Sequence, residues 1–184
     1  MSASQPLAAA VDADSGVEAE RRERFRALYD ANYGGLLGYA IRRTETEQDA
    51  ADVVAETFTT AWRRLEDVPP GVEARLWLYG VARRVLANQR RGDRRRERLG
   101  ERLAALNVAA TAGEPDTESG AGAVDAAFRA LRAQDREILA LVAWEGLDAA
   151  EIGAVLGCST NASRIRLHRA RRRFAAALRR GEQS

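Results

Sequence analysis

Between about Glu20 and Arg180 apolar residues recur at helical spacing, with one long interruption, and no segment alternates as a half-buried strand would. Such a chain can build its cores only by packing helices on helices. The interruption, NVAATAGEPDTESGAGA from Asn107, gathers Gly, Ser, Thr, Pro and acids and reads as a linker. Shorter breaks fall at EDVPPGVEA, where the prolines and a glycine force a loop, and at EGL and GCS. The stretch before Glu20 is small, polar and acidic without a sustained period, which predicts a mobile tail. The expected organisation is all-α, with two small helical domains on a flexible linker: a disordered tail at 1–19, a first domain at 20–98, the linker at 99–122 and a helix-turn-helix domain at 123–184.

With 46% hydrophobic residues in 184, two such cores can be filled. The net charge is only +2, but all 29 Lys+Arg residues are arginine, and they collect from Arg83 to Arg98 and from Arg164 to Arg180. Two separated basic stretches point to two contacts with a polyanion. A single cysteine, Cys158, excludes an internal disulfide, and with a single histidine the chain has no ordinary His/Cys zinc site, so no metal or cofactor is expected. No apolar run approaches the roughly 20 residues of a membrane span, and LAAAV is too short for a secretion signal. A soluble protein of the reducing cytoplasm, without membrane contact, is expected.

The final basic segment, STNASRIRLHRARRRF, is decided by helix geometry. At about 100° per residue, Ser163, Leu167, Ala170, Phe174, Ala177 and Leu178 share an inward stripe. Asn161, Ile165, His168 and Arg172 form the opposite one, flanked by Arg164 and Arg169. An amide, a branched apolar group, an imidazole and guanidinium groups on one exposed face suit base edges, thymine methyls and phosphates of a major groove. GLDAAEIGAVLG supplies the preceding helix, with Asp148 as N-cap, Glu151 completing a capping box and Gly157 ending it in the left-handed region. GCS is then the turn, with Ser159 or Thr160 capping the recognition helix. Upstream, AQDREILALVAWEG offers Ile138, Leu139, Leu141, Val142 and Trp144 to the core.

In the first domain, EQDAADVVAETFTTAWRRL places Val54, Phe58, Ala61 and Leu65 on one stripe and Asp49, Asp52 and Glu56 on the other. The acidic row reads equally as a solvated face or as a dock for a basic partner. ARLWLYGVARRVLANQRRGDRRR buries Leu78, Val81, Ala82 and Val85, and presents Gly80, Arg83, Arg84, Ala87, Arg90, Arg91 and Arg94. Small residues among arginines let a helix approach a phosphate backbone closely. Trp77 and Asn88 share a flank, where Trp77 either packs in the core or stacks on an unpaired base.

Together these segments resemble the extracytoplasmic-function class of bacterial sigma factors, whose small members retain only regions two and four. FRALYDANYGGLLGYAIRR is similar to region 2.1, DAADVVAETFTTAW to region 2.2, ARLWLYGVARRVLANQRR to regions 2.3 and 2.4, and LRAQDREILALVAWEGLDAAEIGAVLGCSTNASRIRLHRARRRF to region 4. The resemblance implies a non-catalytic specificity subunit that binds core RNA polymerase, through the β′ clamp helices and the β flap, and initiates transcription of a specialised gene set. It implies core-polymerase contacts at Asp49, Asp52, Glu56 and Phe58. The downstream (minus-ten) promoter element would be bound and melted by Trp77, Arg83, Arg84, Asn88, Arg90 and Arg91, with the loop Leu65 to Arg75 capturing a flipped base. The upstream (minus-thirty-five) element would be read by Asn161, Arg164, Ile165, His168, Arg169 and Arg172, and the acidic linker would thread toward the RNA exit path. With no domain after region 4, regulation is expected from a separate anti-sigma factor or from expression level.

Three positions depart from the family pattern. Ser163 stands where an apolar residue is usual, which predicts looser packing, and Arg84 and Asn88 stand where many members carry Asn and Asp. A stand-alone DNA-binding regulator is the alternative reading, but it has no use for a second helical domain with an acidic row and a basic, tryptophan-flanked helix. An enzyme fares worst, because no acid–base pair or nucleophile constellation is offered.

Overall fold

The computed structural model describes residues 5–104 and 122–181, so most of the expected linker lies outside the described residues. The described residues are helical, with turns between the helices and no strand. The chain divides into two compact units, Met1–Leu86 and Ala87–Ser184.

The first unit is built from α1 (Gln5–Ile41), α2 (Glu47–Arg63), a 3-10 turn (Leu65–Asp67) and the start of α3 (Glu73–Ala104). The tail expected at 1–19 is instead helical from Gln5. Periodicity could not show this, because residues such as Ala8, Ala9, Ala10, Ala13, Glu18 and Ala19 form helix by propensity without an apolar stripe. A second break, unmarked by Gly or Pro, separates α1 from α2: Thr46 caps α2, its hydroxyl oxygen accepting from the Asp49 amide at 3.1 Å. The core is made by Leu36, Tyr39 and Ala40 of α1, Val53, Val54, Phe58 and Ala61 of α2, and Leu78, Val81, Ala82, Val85 and Leu86 of α3. Buried Thr57 satisfies its hydroxyl on the Val53 carbonyl at 2.7 Å. Tyr39 and Tyr79 stack with centroids 5.0 Å apart, and a Cβ on Gly35 would lie 3.3 Å from the Tyr79 hydroxyl, so α1 and α3 meet closely there.

The predicted loop between α2 and α3 is held at its start. Val68 is buried, and Arg24 of α1 donates to the Val68 carbonyl at 2.9 Å and to Glu66 at 3.3 Å. Gly71 takes a left-handed φ of 64°, and Val72 is left 85% exposed at the tip. The unit boundary falls inside α3 after Leu86, where the periodicity places it near Arg98. Among the described side chains of α3 the last buried one is Leu86, and the later turns are rich in arginine.

The second unit contains α4 (Ala123–Arg129), α5 (Ala133–Ala143), α6 (Ala149–Leu156) and α7 (Thr160–Gly181), and α7 packs against the other three. The break between α4 and α5 was not marked by periodicity. Arg136 stabilises it by donating to the carbonyls of Arg129 and Leu131, both at 2.7 Å. The capping box is present: Asp148 accepts from the Ala150 and Glu151 amides, and Glu151 accepts from the Asp148 amide at 2.8 Å. Gly157 ends α6 with φ 67°. Ser159 rather than Thr160 caps α7, its hydroxyl oxygen accepting from the Ala162 amide at 3.2 Å.

Two glycines separate cleanly. A Cβ on Gly153 would stand 2.7 Å from the Cys158 carbonyl oxygen, a backbone atom that cannot swing away, whereas a Cβ on Gly34 meets nothing within 4 Å. Gly153→Ala should therefore destabilise the full chain by about 1–3 kcal/mol, while Gly34→Ala should stabilise it by up to about 1 kcal/mol. Urea unfolding of the two variants checks this, and equal effects of the same sign would contradict it.

Candidate nucleic-acid interface

On α7 the structure separates the two faces as the periodicity predicts. Ser163, Ala170 and Ala177 are buried and Leu167, Phe174 and Leu178 half-buried, while Asn161, Arg164, His168, Arg169 and Arg172 are exposed. Ile165 is 44% exposed among them, an apolar side chain held outward between guanidinium groups. A branched apolar side chain among guanidinium groups is of the kind that can meet a thymine methyl. Not every arginine of α7 is free for DNA. Arg173 donates from one guanidinium nitrogen to both carboxylate oxygens of buried Asp135, at 2.8 and 2.9 Å, tying α7 to α5. The sequence reading missed this pair, although Asp135 shares the inward stripe of α5 with Ile138, and a carboxylate on an apolar stripe calls for an internal cation.

The inward anchor of α7 differs from expectation. Ser163 was expected to loosen the packing. It is wholly buried, and its hydroxyl donates to the carbonyl of Ala149, the first residue of α6, and to that of Thr160 at 2.8 Å. The position is bonded rather than under-packed. Trp144, expected in the core, is 52% exposed; its ring meets Phe128 edge-on at 5.6 Å and borders a groove of about 520 Å³ with Val124, Leu139, Val142 and Phe174. It follows the last residue of α5, where the chain turns away from the core.

On α3, Arg83, Arg84, Asn88, Arg90 and Arg91 are exposed, and Arg91 donates to the Asn88 side-chain oxygen. Gly80, expected on the presented face, is buried, and the side chain of Arg94 lies outside the described residues. Trp77 falls between its two readings: it is half-buried, and the Arg64 guanidinium lies 5.9 Å from its ring centroid.

On α2, Asp49, Asp52 and Glu56 all reach solvent. Asp49 also belongs to the helix cap, accepting from the Thr46 hydroxyl at 2.7 Å, and Asp52 accepts from the Gln48 amide at 3.1 Å. Phe58 requires a correction as a contact residue. At 4% exposure it lies inside an aromatic cluster, 4.6 Å from Tyr29 and 6.2 Å from Phe25 by ring centroids, and it seats α2 on α1 rather than facing outward. Tyr29 is the member of that cluster with substantial exposure that sequence reasoning passed over.

Comparison with known proteins agrees with this layout. The family pattern described as Sigma-70 region 2 matches residues 28–96, and that described as Sigma-70, region 4 matches residues 121–174. The ECF RNA polymerase sigma factor SigL of Mycobacterium tuberculosis is 31% identical over 170 residues, covering 89% of this chain and 94% of SigL. The RNA polymerase sigma factor CnrH of Cupriavidus metallidurans is 33% identical over 159 residues, covering 80% of this chain and 83% of CnrH. The solved structure of CnrH in complex with the cytosolic domain of CnrY superposes with a TM-score of 0.58 at 29% identity, over 84% of this chain and 86% of that one. A basic α3, an acidic row on α2 and a helix-turn-helix are thus found in a chain that belongs to the extracytoplasmic-function family of RNA polymerase sigma factors.

Proposed function

We propose that this chain is a specificity subunit that joins core RNA polymerase, recognises two promoter elements and leaves the chemistry of transcription to the polymerase. The observation that carries the reading is the outward stripe of α7, Asn161, Arg164, Ile165, His168, Arg169 and Arg172, presented by a capped helix-turn-helix. That stripe reads the upstream element. The α3 face of Arg83, Arg84, Asn88, Arg90 and Arg91, with Trp77 on its flank, holds the downstream element and its melted strand, and the loop from Leu65 to Arg75 receives a flipped base. In support, the loop is pinned by Arg24, so a pocket there would be formed before DNA arrives.

Asp49, Asp52 and Glu56 dock on the basic surface of the β′ clamp helices, with Phe58 behind them as the wedge that fixes α2, and the C-terminal unit meets the β flap. The protein works in the cytoplasm on a specialised gene set. An anti-sigma partner fits the same reading, since CnrH was solved with CnrY bound. No helix among the described residues is long and apolar enough to cross a membrane.

The arginines of α7 provide one test. If Arg169 touches phosphate, Arg169→Ala in the holoenzyme should weaken every promoter alike and reduce the slope of log affinity against log salt by about one. If it reads a base, the loss should be about 1–3 kcal/mol and confined to promoters carrying that base. Arg173→Ala should instead lower the unfolding temperature, because it strands a buried carboxylate. Equal loss for Arg169→Ala at all promoters with an unchanged slope would contradict both roles.

The acidic row gives a second. Reversing charge with Asp52→Arg and Glu56→Arg should weaken core-polymerase binding at least tenfold, measured by titration of labelled protein with core enzyme, without shifting the unfolding temperature by more than a degree or so. Unchanged binding would return the row to a solvated face. Thr46→Ala, which removes the hydroxyl that caps α2, is expected to cost about 1 kcal/mol of stability instead.

A further inference from the structure

Taking α7 as the recognition helix, its useful face is set by how the helix is turned about its own axis. Side-chain tips lie about 5–6 Å from a helix axis, so a rotation of about 20° moves them by about 2 Å, more than a hydrogen bond tolerates. Apolar contacts on the inner face oppose such a rotation by packing, without a bond of defined direction. Leu167, Ala170 and Phe174 meet their neighbours through dispersion and the exclusion of water, neither of which is directional.

Ser163 supplies a directional contact. It is 0% exposed, sits in the first turn of α7, and shares its single hydroxyl proton between the carbonyls of Ala149 and Thr160. Ala149 opens α6, whose own N-terminus is fixed by the Asp148–Glu151 capping box. On the other side, the Gly153 backbone lies so close to Cys158 that even a methyl group would clash. The approach of α6 to the turn before α7 is thus set at Gly153, and the rotation of the first turn of α7 at Ser163, with the Arg173–Asp135 pair holding the helix further along. Asn161 and Ile165 lie two residues to either side, about 200° around the helix, and so point directly away from the bonded hydroxyl.

We propose that Ser163 is a positioning residue for readout of the upstream element: its hydroxyl fixes the rotation of α7, so that Asn161, Ile165 and their neighbours meet base edges in register. Removing the hydroxyl strands nothing, because the Ala149 carbonyl keeps its place in the α6 ladder. Attraction to phosphate survives a small rotation, since arginine reaches several oxygens along the backbone. Base discrimination does not.

The test uses holoenzyme assembled from core polymerase and the full chain, wild type, Ser163→Ala, Ser163→Thr and Arg169→Ala, selected on a duplex library randomised across the upstream element. Enrichment of the leading motif over the pool measures discrimination. Bulk affinity for the unselected pool, with its salt slope, measures phosphate attraction. Ser163→Ala should lower enrichment roughly five- to tenfold with bulk affinity and slope unchanged, and Ser163→Thr, which keeps the hydroxyl, should recover part of it. Enrichment within twofold of wild type for Ser163→Ala would overturn the proposal. So would parallel loss of enrichment and bulk affinity accompanied by a fall in unfolding temperature, which marks a purely structural role. If the wild type enriches no motif, or Arg169→Ala alters neither enrichment nor slope, the recognition-helix reading itself fails and the positioning role falls with it.

Discussion

What the C-terminal unit can offer to DNA depends on how α7 is held along its inner face. A recognition helix must leave one side bare, so everything that fixes it in place has to act from the other. Here the inner face combines a close backbone approach at Gly153, a buried hydroxyl bond at Ser163, an ion pair from Arg173 to Asp135 and the ring contact of Phe174 with Phe128 at 6.3 Å. They act just before α7, in its first turn and about three turns later, and bind the helix to α6, α5 and α4. The outer face then carries Ile165 beside arginines, outside that packing.

The first unit uses the same logic with two outer faces of opposite sign. Its core is a three-helix seam rich in aromatic rings, in which Phe25, Phe58 and Trp62 lock α1 to α2, with centroids 6.2 and 5.1 Å from Phe25. The acidic row of α2 lies outside that seam, and the arginines of α3 lie outside its own buried stripe. The near-balance of total charge, +2, hides this segregation. On the proposed function, with a basic protein surface and a nucleic acid held at once, keeping the two signs on different helices strengthens both encounters.

Much of this was legible in the residues, for a physical reason. Helix faces follow from local geometry, so the buried and exposed stripes of α2, α3 and α7 could be read without knowing what they pack against. So could the α6 capping box and the left-handed Gly157, because they involve neighbours in sequence. What escaped depends on distant residues or on propensity without pattern. The Asp135–Arg173 pair and the Ser163–Ala149 bond join positions 38 and 14 residues apart. Helix in the first residues of α1 carries no apolar stripe, and Trp144 is exposed where α5 ends. Phe58 shows both sides: its stripe placed it inward, and only the resemblance carried it to an interface.

Promoter-dependent transcription by core RNA polymerase, with and without this protein, mapped across genomic DNA of its source, tests the central claim most directly. New start sites that share an upstream and a downstream element, and that disappear with Asp52→Arg and Glu56→Arg, are the predicted result. DNA binding by the protein alone, with no association with core polymerase and no new start sites, would contradict the account and leave a stand-alone regulator built on the same helix-turn-helix.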